Sequence, residues 1–154
     1  MSESDPIILA AQGYYELEMH KEALAELDRL PLSEQILPEV LEMRVLILMK
    51  DHHWKEALDA SEKLCAMVPE EPSGFIHAAY CLHEMGKTQQ AKELLLEGPA
   101  ALATDPTYHY NLACYECALG NIETARAYLK ASVSMDQELR EFAQSDPDLK
   151  ALRE

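Results

Sequence analysis

The sequence predicts an all-α protein built as an array of repeated helix pairs, an α-solenoid. Ala23, Ala57, Ala91 and Ala125 recur every 34 residues without slip. They sit inside the related phrases Lys-Glu-Ala-Leu (21–24 and 55–58), Gln-Gln-Ala-Lys (89–92) and Glu-Thr-Ala-Arg (123–126). Each is preceded by twelve positions by another small or slim residue: Ala11, Val45, Ala79 and Ala113. Pro38, Pro72 and Pro106 repeat at the same spacing of 34, where a proline opening a helix loses no hydrogen bond. A fixed period of this size marks stacked copies of one supersecondary unit. With 5 glycines among 154 residues rich in Ala, Leu and Glu, helix is favoured over strand.

The totals bound the class. A chain of 154 residues is predicted to form one domain (1–154) with a core that needs neither disulfide nor metal. Acidic groups outnumber basic ones by 28 to 13, a net charge of -15. That argues against nucleic acid or an anionic membrane as partner, because both require cationic patches, and it favours a basic partner. The start, Met1-Ser-Glu-Ser-Asp-Pro, lacks the basic run and apolar stretch of a signal peptide. The longest apolar run, Val45 to Met49, is far too short to cross a bilayer. The four cysteines, at 65, 81, 114 and 117, lie inside helical patterns and do not read as a disulfide framework. A cytoplasmic, reducing setting is expected.

Taken in order, Asp5-Pro6 opens the first helix, with Ile7, Ala10, Ala11, Tyr14 and Leu17 at helical spacing up to about Met19-His20. A second helix carries Ala23, Leu24, Leu27 and Leu30 and stops at Pro31, followed by a connector over 31–37. Helices 38–50 and 54–67 meet at the turn Asp51-His52-His53. The third unit opens at Pro72, turns at Gly86 and breaks at Gly98-Pro99. The fourth opens at Asp105-Pro106 and turns at Gly120-Asn121. The repeats are thus placed at about 5–37, 38–71, 72–105 and 106–136, with 137–154 as a cap over the apolar flank of the last unit. Within the cap, Leu139 and Phe142 mark a short helix and Asp146-Pro147 starts one more turn.

These units resemble the tetratricopeptide repeat (TPR). The matches are Ala11, Ala79 and Ala113 in the first helices, Tyr14, the turn residues Gly86 and Gly120, the four period alanines and Pro69. The departures are Glu18 and His52 where the turn glycine stands, Glu116 in place of an aromatic, and the bulkier Val45. The resemblance implies a right-handed superhelix of antiparallel helix pairs, with the first helices lining a concave face that holds an extended or helical segment of another protein.

On that geometry the groove rows are Ile8, Gln12 and Tyr15; Glu42, Leu46 and Met49; Ile76, Tyr80 and His83; and Tyr110, Asn111, Cys114 and Cys117, with Asp5 and Glu39 near one rim. The rows hold apolar residues and Tyr but no Lys or Arg, a pattern suited to an apolar peptide or helix. A clamp for a C-terminal carboxylate needs cations, and Gln12, Glu42, His77 and Asn111 supply at most one suitable group. The alternative occupants are the chain's own C-terminal segment and a second copy, giving a homo-oligomer.

Chemistry is weakly signalled. Cys114-Tyr-Glu-Cys117 has CxxC spacing but sits mid-helix with no second pair; Cys81, His77 and His83 on the preceding unit are the residues that could join it. Buried thiols are the expected outcome, with no metal. His52-His53 reads as a solvated turn, and Trp54 as a cover for apolar surface. No Ser-His-Asp order, phosphate-binding glycine loop or HExxH occurs, so no enzyme activity and no cofactor are expected. The leading expectation is a non-catalytic protein-interaction module, an adaptor or scaffold. The alternative is a small cytoplasmic chaperone resembling those of type III secretion translocators, which the chain resembles in length and charge.

Overall fold

The computed structural model describes residues 5–154; the start read above for a leader, residues 1–4, lies outside them. The described residues form α1 (Asp5–Glu16), α2 (His20–Leu27), α3 (Leu32–Gln35), α4 (Pro38–Lys50), α5 (Trp54–Met67), α6 (Pro72–Glu84), α7 (Thr88–Leu96), α8 (Pro106–Ala118), α9 (Ile122–Met135) and α10 (Glu138–Ser145). Two 3₁₀ helices, Ala100–Thr104 and Pro147–Arg153, complete the list. Among the described residues there is no strand, and no helix is long and apolar enough to cross a membrane. The fold is all-α and TPR-like.

Each helix pair turns in the same way. Three residues separate α1 from α2, α4 from α5, α6 from α7 and α8 from α9. The middle residues, Glu18, His52, Gly86 and Gly120, all have positive φ, at 60°, 59°, 80° and 84°. The residue after each donates its backbone N–H five positions back: Met19 to Tyr14, His53 to Leu48, Lys87 to Leu82 and Asn121 to Glu116, each at 2.8 Å. The three-position bonds Glu18 to Tyr15, His52 to Met49, Gly86 to His83 and Gly120 to Cys117 measure 2.9–3.1 Å. This double bond pattern satisfies carbonyls that a helix end leaves open, and it requires a left-handed residue. The 34-residue period therefore extends to the backbone, including two positions where no glycine stands.

The chain divides into two compact units, Met1–Pro69 and Glu70–Glu154. In the first, α1 packs on α2, α2 on α4 and α4 on α5. Its core joins Ala11, Ala23, Leu27, Leu30, Val40 and Ile47. Val45, Leu48, Ala57, Ala60 and Leu64 are also buried, and Ser61 satisfies its buried hydroxyl by donating to the Ala57 carbonyl at 2.7 Å. α2 ends at Leu27, earlier than the apolar spacing predicts, and the expected connector contains the single turn α3. Gln35 explains that turn's seat: its amide donates to the Leu30 carbonyl at 2.8 Å and the Asp28 carbonyl at 3.3 Å.

In the second unit α6 packs on α7, α7 on α8, α8 on α9, and the C-terminal 3₁₀ helix on both α8 and α9. Its core joins Ala79, Ala91, Leu95, Leu102, Leu112, Ala113, Tyr115, Ala125 and Leu149 among others. The break at Gly98-Pro99 falls as expected, and Gly98 allows it: a Cβ there would lie 2.4 Å from Leu102 Cδ1. Asp105 caps α8 by accepting from Thr107 N–H at 2.9 Å, and Asp146 caps the final 3₁₀ helix by accepting from Asp148 N–H at 3.0 Å. All four period alanines, and Ala11, Val45, Ala79 and Ala113, are completely buried. They stand where paired helices approach closely, and a larger side chain would force them apart.

Candidate functional site

The first unit presents a cavity of about 250 Å³, lined by Gln12 and Tyr15 of α1 and by Glu39, Glu42, Met43 and Leu46 of α4. Helical spacing explains the set: positions 12 and 15 share a face of α1, and 39, 42, 43 and 46 share a face of α4. Leu46 is 37% exposed, and Gln12 is exposed. The lining contains two carboxylates and no cation. Four residues expected in the groove, Gln12, Tyr15, Glu42 and Leu46, are thus brought together. Ile8 instead packs against the first unit's core, and Met49 is half-buried outside the cavity.

The second unit has a cavity of about 330 Å³. Five expected groove residues line it: Tyr80 and His83 from α6, and Tyr110, Asn111 and Cys114 from α8. Ile76 is buried in the core, as is Cys117, while His77 is half-buried. The C-terminal segment, one of the alternative occupants named from the sequence, supplies four more lining residues. Leu139, Phe142, Asp146 and Asp148 come from the C-terminal segment. Tyr110 Oη donates to Asp146 Oδ2 at 2.5 Å, and the Tyr110 and Phe142 rings meet edge-on at 5.7 Å. His83 Nε2 lies 3.7 Å from Asp148 Oδ2. The segment covers Tyr110, which is only 6% exposed, while Phe142 remains 61% exposed. The signal available in the sequence was the repeated Asp-Pro start at 146–147, which fixes where the carboxylates begin.

Electrostatics separates the hydroxyls and thiols here from reactive groups. Burial, with Glu84, Asp148 and Asp146 nearby, pushes the Tyr80 phenol up to about 12. Burial and the bond to Asp146 raise Tyr110 further. Burial raises Cys114 well above the usual thiol value, with Asp146 and Asp148 adding to it. Cys65 and Cys81 are each pushed up to about 11, chiefly by burial and then by Glu62 and Glu84 respectively. A thiol held protonated is a poor nucleophile and a poor metal ligand. Among the described residues no three His, Cys, Asp or Glu side chains gather in a way that would hold a metal ion, and all four cysteines are unpaired.

Glu116, at the position where the repeat has an aromatic, is 3% exposed. It is held by Lys92 Nζ of α7 at 2.8 Å and by Asn121 Nδ2 at 3.3 Å. The substitution therefore brings its own partners, and an ion pair between α7 and α8 takes the place of aromatic packing. His52 and Trp54 stack with ring centroids 5.3 Å apart, so the turn of the second helix pair carries an aromatic contact of its own.

No protein-family profile and no curated protein sequence matches the chain. Solved structures of MamA, a TPR-repeat protein, do match. MamA 41-end from Desulfovibrio magneticus RS-1 superimposes with a TM-score of 0.79 at 18% identity, covering 99% of this chain and 91% of that one. A further crystal structure of MamA protein gives 0.78 at 12% identity, covering 97% and 84%. MamA MSR-1 C2 gives 0.72 at 13% identity, covering 89% and 79%. At such identities the likeness is one of fold. By its period, its repeated turns and this likeness, the chain has a TPR-like fold, an all-α array of helix pairs.

Proposed function

We propose that the protein is a non-catalytic interaction module, an adaptor or scaffold. The faces of its first helices take an apolar peptide or helix from another protein. The repeats run over 5–37, 38–71, 72–105 and 106–136, with 137–154 as cap. One observation carries this reading: Gln12, Tyr15, Glu42 and Leu46, picked as groove residues from spacing, converge on one surface cavity with an exposed leucine. A concave apolar surface edged by a few polar groups is the usual form of a peptide site. Glu39 and Glu42 in this cavity, and Asp146 and Asp148 in the second unit's, favour a segment that carries a basic residue beside its apolar ones. The absence of a catalytic role is supported by thiols and phenols held in their protonated forms. Four unpaired cysteines suit a reducing compartment, and we place the protein in the cytoplasm.

The test compares wild type with Leu46→Glu in affinity purification followed by mass spectrometry. Position 46 is exposed enough to accept a carboxylate without loss of helix, so far-UV circular dichroism should stay the same. Specific co-purifying proteins should be lost. Their undiminished recovery with the variant would refute the site.

A further inference from the structure

Another cavity of the second unit, about 800 Å³, lies away from the first-helix faces. Its apolar part is Leu129 and Val133 of α9, Ala143 of α10, and Leu149 and Leu152 of the C-terminal 3₁₀ helix. Arg126, Lys130, Arg140 and Arg153 stand around these, and no lining residue is acidic. In a chain with 28 acidic and 13 basic groups, four cations at one apolar cleft depart sharply from the average surface.

Little of that charge is used internally. Arg153 donates to the carbonyls of Ala143 at 2.9 Å and Asp146 at 3.1 Å, and so holds the terminal helix in place with no carboxylate involved. Arg126 donates to the Leu152 carbonyl at 3.1 Å; its one acid among the described residues is Glu123, 3.8 Å away, with a side chain 94% exposed. An ion pair so exposed neutralises little. Lys130 and Arg140 are exposed and have no ion pair or side-chain hydrogen bond among the described residues. The origin of the cleft is the array itself. The outer flank of a last helix pair is the surface that a following pair would cover. Here α10 and the 3₁₀ helix cover part of α9 and leave the row from 126 to 134 facing the cleft.

We propose that this cleft is a second docking site, and that its occupant is an acidic amphipathic helix of another protein. The row along α9 extends for roughly 12 Å at 1.5 Å per residue, about two helical turns. Leucine-type side chains at i, i+3, i+4 and i+7 of the occupant would enter between Leu129, Val133, Leu149 and Leu152. Carboxylates flanking that stripe would meet Lys130 and Arg140 at the rim. Charge complementarity selects an acidic occupant over the basic one favoured by the first-helix cavities.

The probe is a fluorescein-labelled synthetic helix of about 18 residues, with leucines on one face and glutamates beside them, titrated into the full chain and read by anisotropy. Saturable binding is expected. It should weaken by about tenfold or more in the double variant Lys130→Glu with Arg140→Glu, in a peptide with lysines replacing the glutamates, and as salt is raised. Both substituted side chains are exposed, so circular dichroism should not change. Leu46→Glu should leave this affinity intact, which separates the cleft from the first-helix site. Equal binding by the charge-reversed variant or by the lysine peptide would overturn the proposal, as would no saturable binding. A concentration-dependent dimer that the charge reversal abolishes would assign the cleft to a second copy and overturn it as well.

Discussion

Glycine at position 18 should make the first unit more stable, and alanine at position 86 should make the second less so. Both changes act on the same backbone geometry from opposite sides. Glu18 and Gly86 occupy equivalent turns, at φ of 60° and 80°. Left-handed backbone costs a residue with a Cβ about 1–2 kcal/mol, while removing glycine recovers about 0.4–1 kcal/mol by restricting the unfolded chain. Packing adds nothing at position 86, because a Cβ built on Gly86 meets no atom within 4 Å. Gly86→Ala should therefore cost about 1 kcal/mol, and Glu18→Gly should add a similar amount. His52→Gly is the internal control. It relieves the same φ, at 59°, but loses the stack on Trp54. Such a ring pair contributes about 0.5–1.5 kcal/mol, so the two changes should nearly cancel. Urea unfolding of the three variants, followed by circular dichroism with the slope checked for constancy, reads the series. A neutral or stabilising Gly86→Ala, or a destabilising Glu18→Gly, would refute the claim that the repeated turn imposes its own conformation on whatever residue occupies it.

Three further outcomes follow from side-chain environment. Lys92→Met should destabilise the second unit by about 3 kcal/mol, because it leaves a buried carboxylate unpaired; adding Glu116→Gln should restore most of it, measured by the same urea titration. Cys81 is fully buried with its thiol pushed up to about 11, so the folded chain keeps a proton that the unfolded chain loses above its ordinary value of 9.0. The unfolded state is then favoured progressively, and stability should fall as pH rises from 9.0 to about 11, a fall that Cys81→Ala should reduce. At neutral pH native alkylation of this thiol by iodoacetamide should be slow against the urea-unfolded control. Tyr110→Phe removes the donor to Asp146 and should speed amide exchange over 147–153 while α8 and α9 keep their protection, at a cost of about 1–2 kcal/mol.

The period alanines made the helix pairs legible because close approach admits only a small side chain, so the constraint is written into single residues. The prolines and Asp105 were legible for a similar reason: a helix start demands few residue types. The turn geometry was half-legible. Gly86 and Gly120 announced it, but Glu18 and His52 hid it, since the hydrogen-bonding pattern tolerates a strained residue when flanking helices hold it. The groove rows on α1, α4, α6 and α8 came from helical spacing, which sets a face but not what lies over it. Ile76 satisfied the spacing yet turned to the core, because a stripe wider than one row is needed to pack α6. Glu116 read only as a departure from the repeat's aromatic, since nothing in the local sequence ties it to Lys92, 24 positions earlier. That the C-terminal segment could lie over the groove was legible, but not that Leu139, Phe142, Asp146 and Asp148 would wall the cavity, because a return of the chain is a tertiary event.

That returning segment does more than cover apolar surface. A cap need only be polar outside and apolar inside, yet this one sorts charge between its sides. Asp146 and Asp148 enter the cavity with Tyr80, His83 and Tyr110, whereas Leu149, Leu152 and Arg153 enter the cleft with Leu129, Lys130 and Arg140. Leu149 anchors the segment, buried in the core between the two. The tight 3₁₀ winding, about three residues per turn, places 149 and 152 in line and sends 148 elsewhere. Asp146 and the 3₁₀ helix that follows it thus contribute to an acidic aromatic cavity and a basic apolar cleft at once. Shifting the register of the 3₁₀ helix by one inserted alanine would put alanine where Asp148 lines the cavity, and a carboxylate and an alanine where Leu149 and Leu152 line the cleft. An alanine inserted after Pro147 should therefore weaken binding at both sites together, although it adds no charge and removes no groove residue. If only the overall stability fell while binding of the acidic helix stayed intact, the segment would be a cover and nothing more.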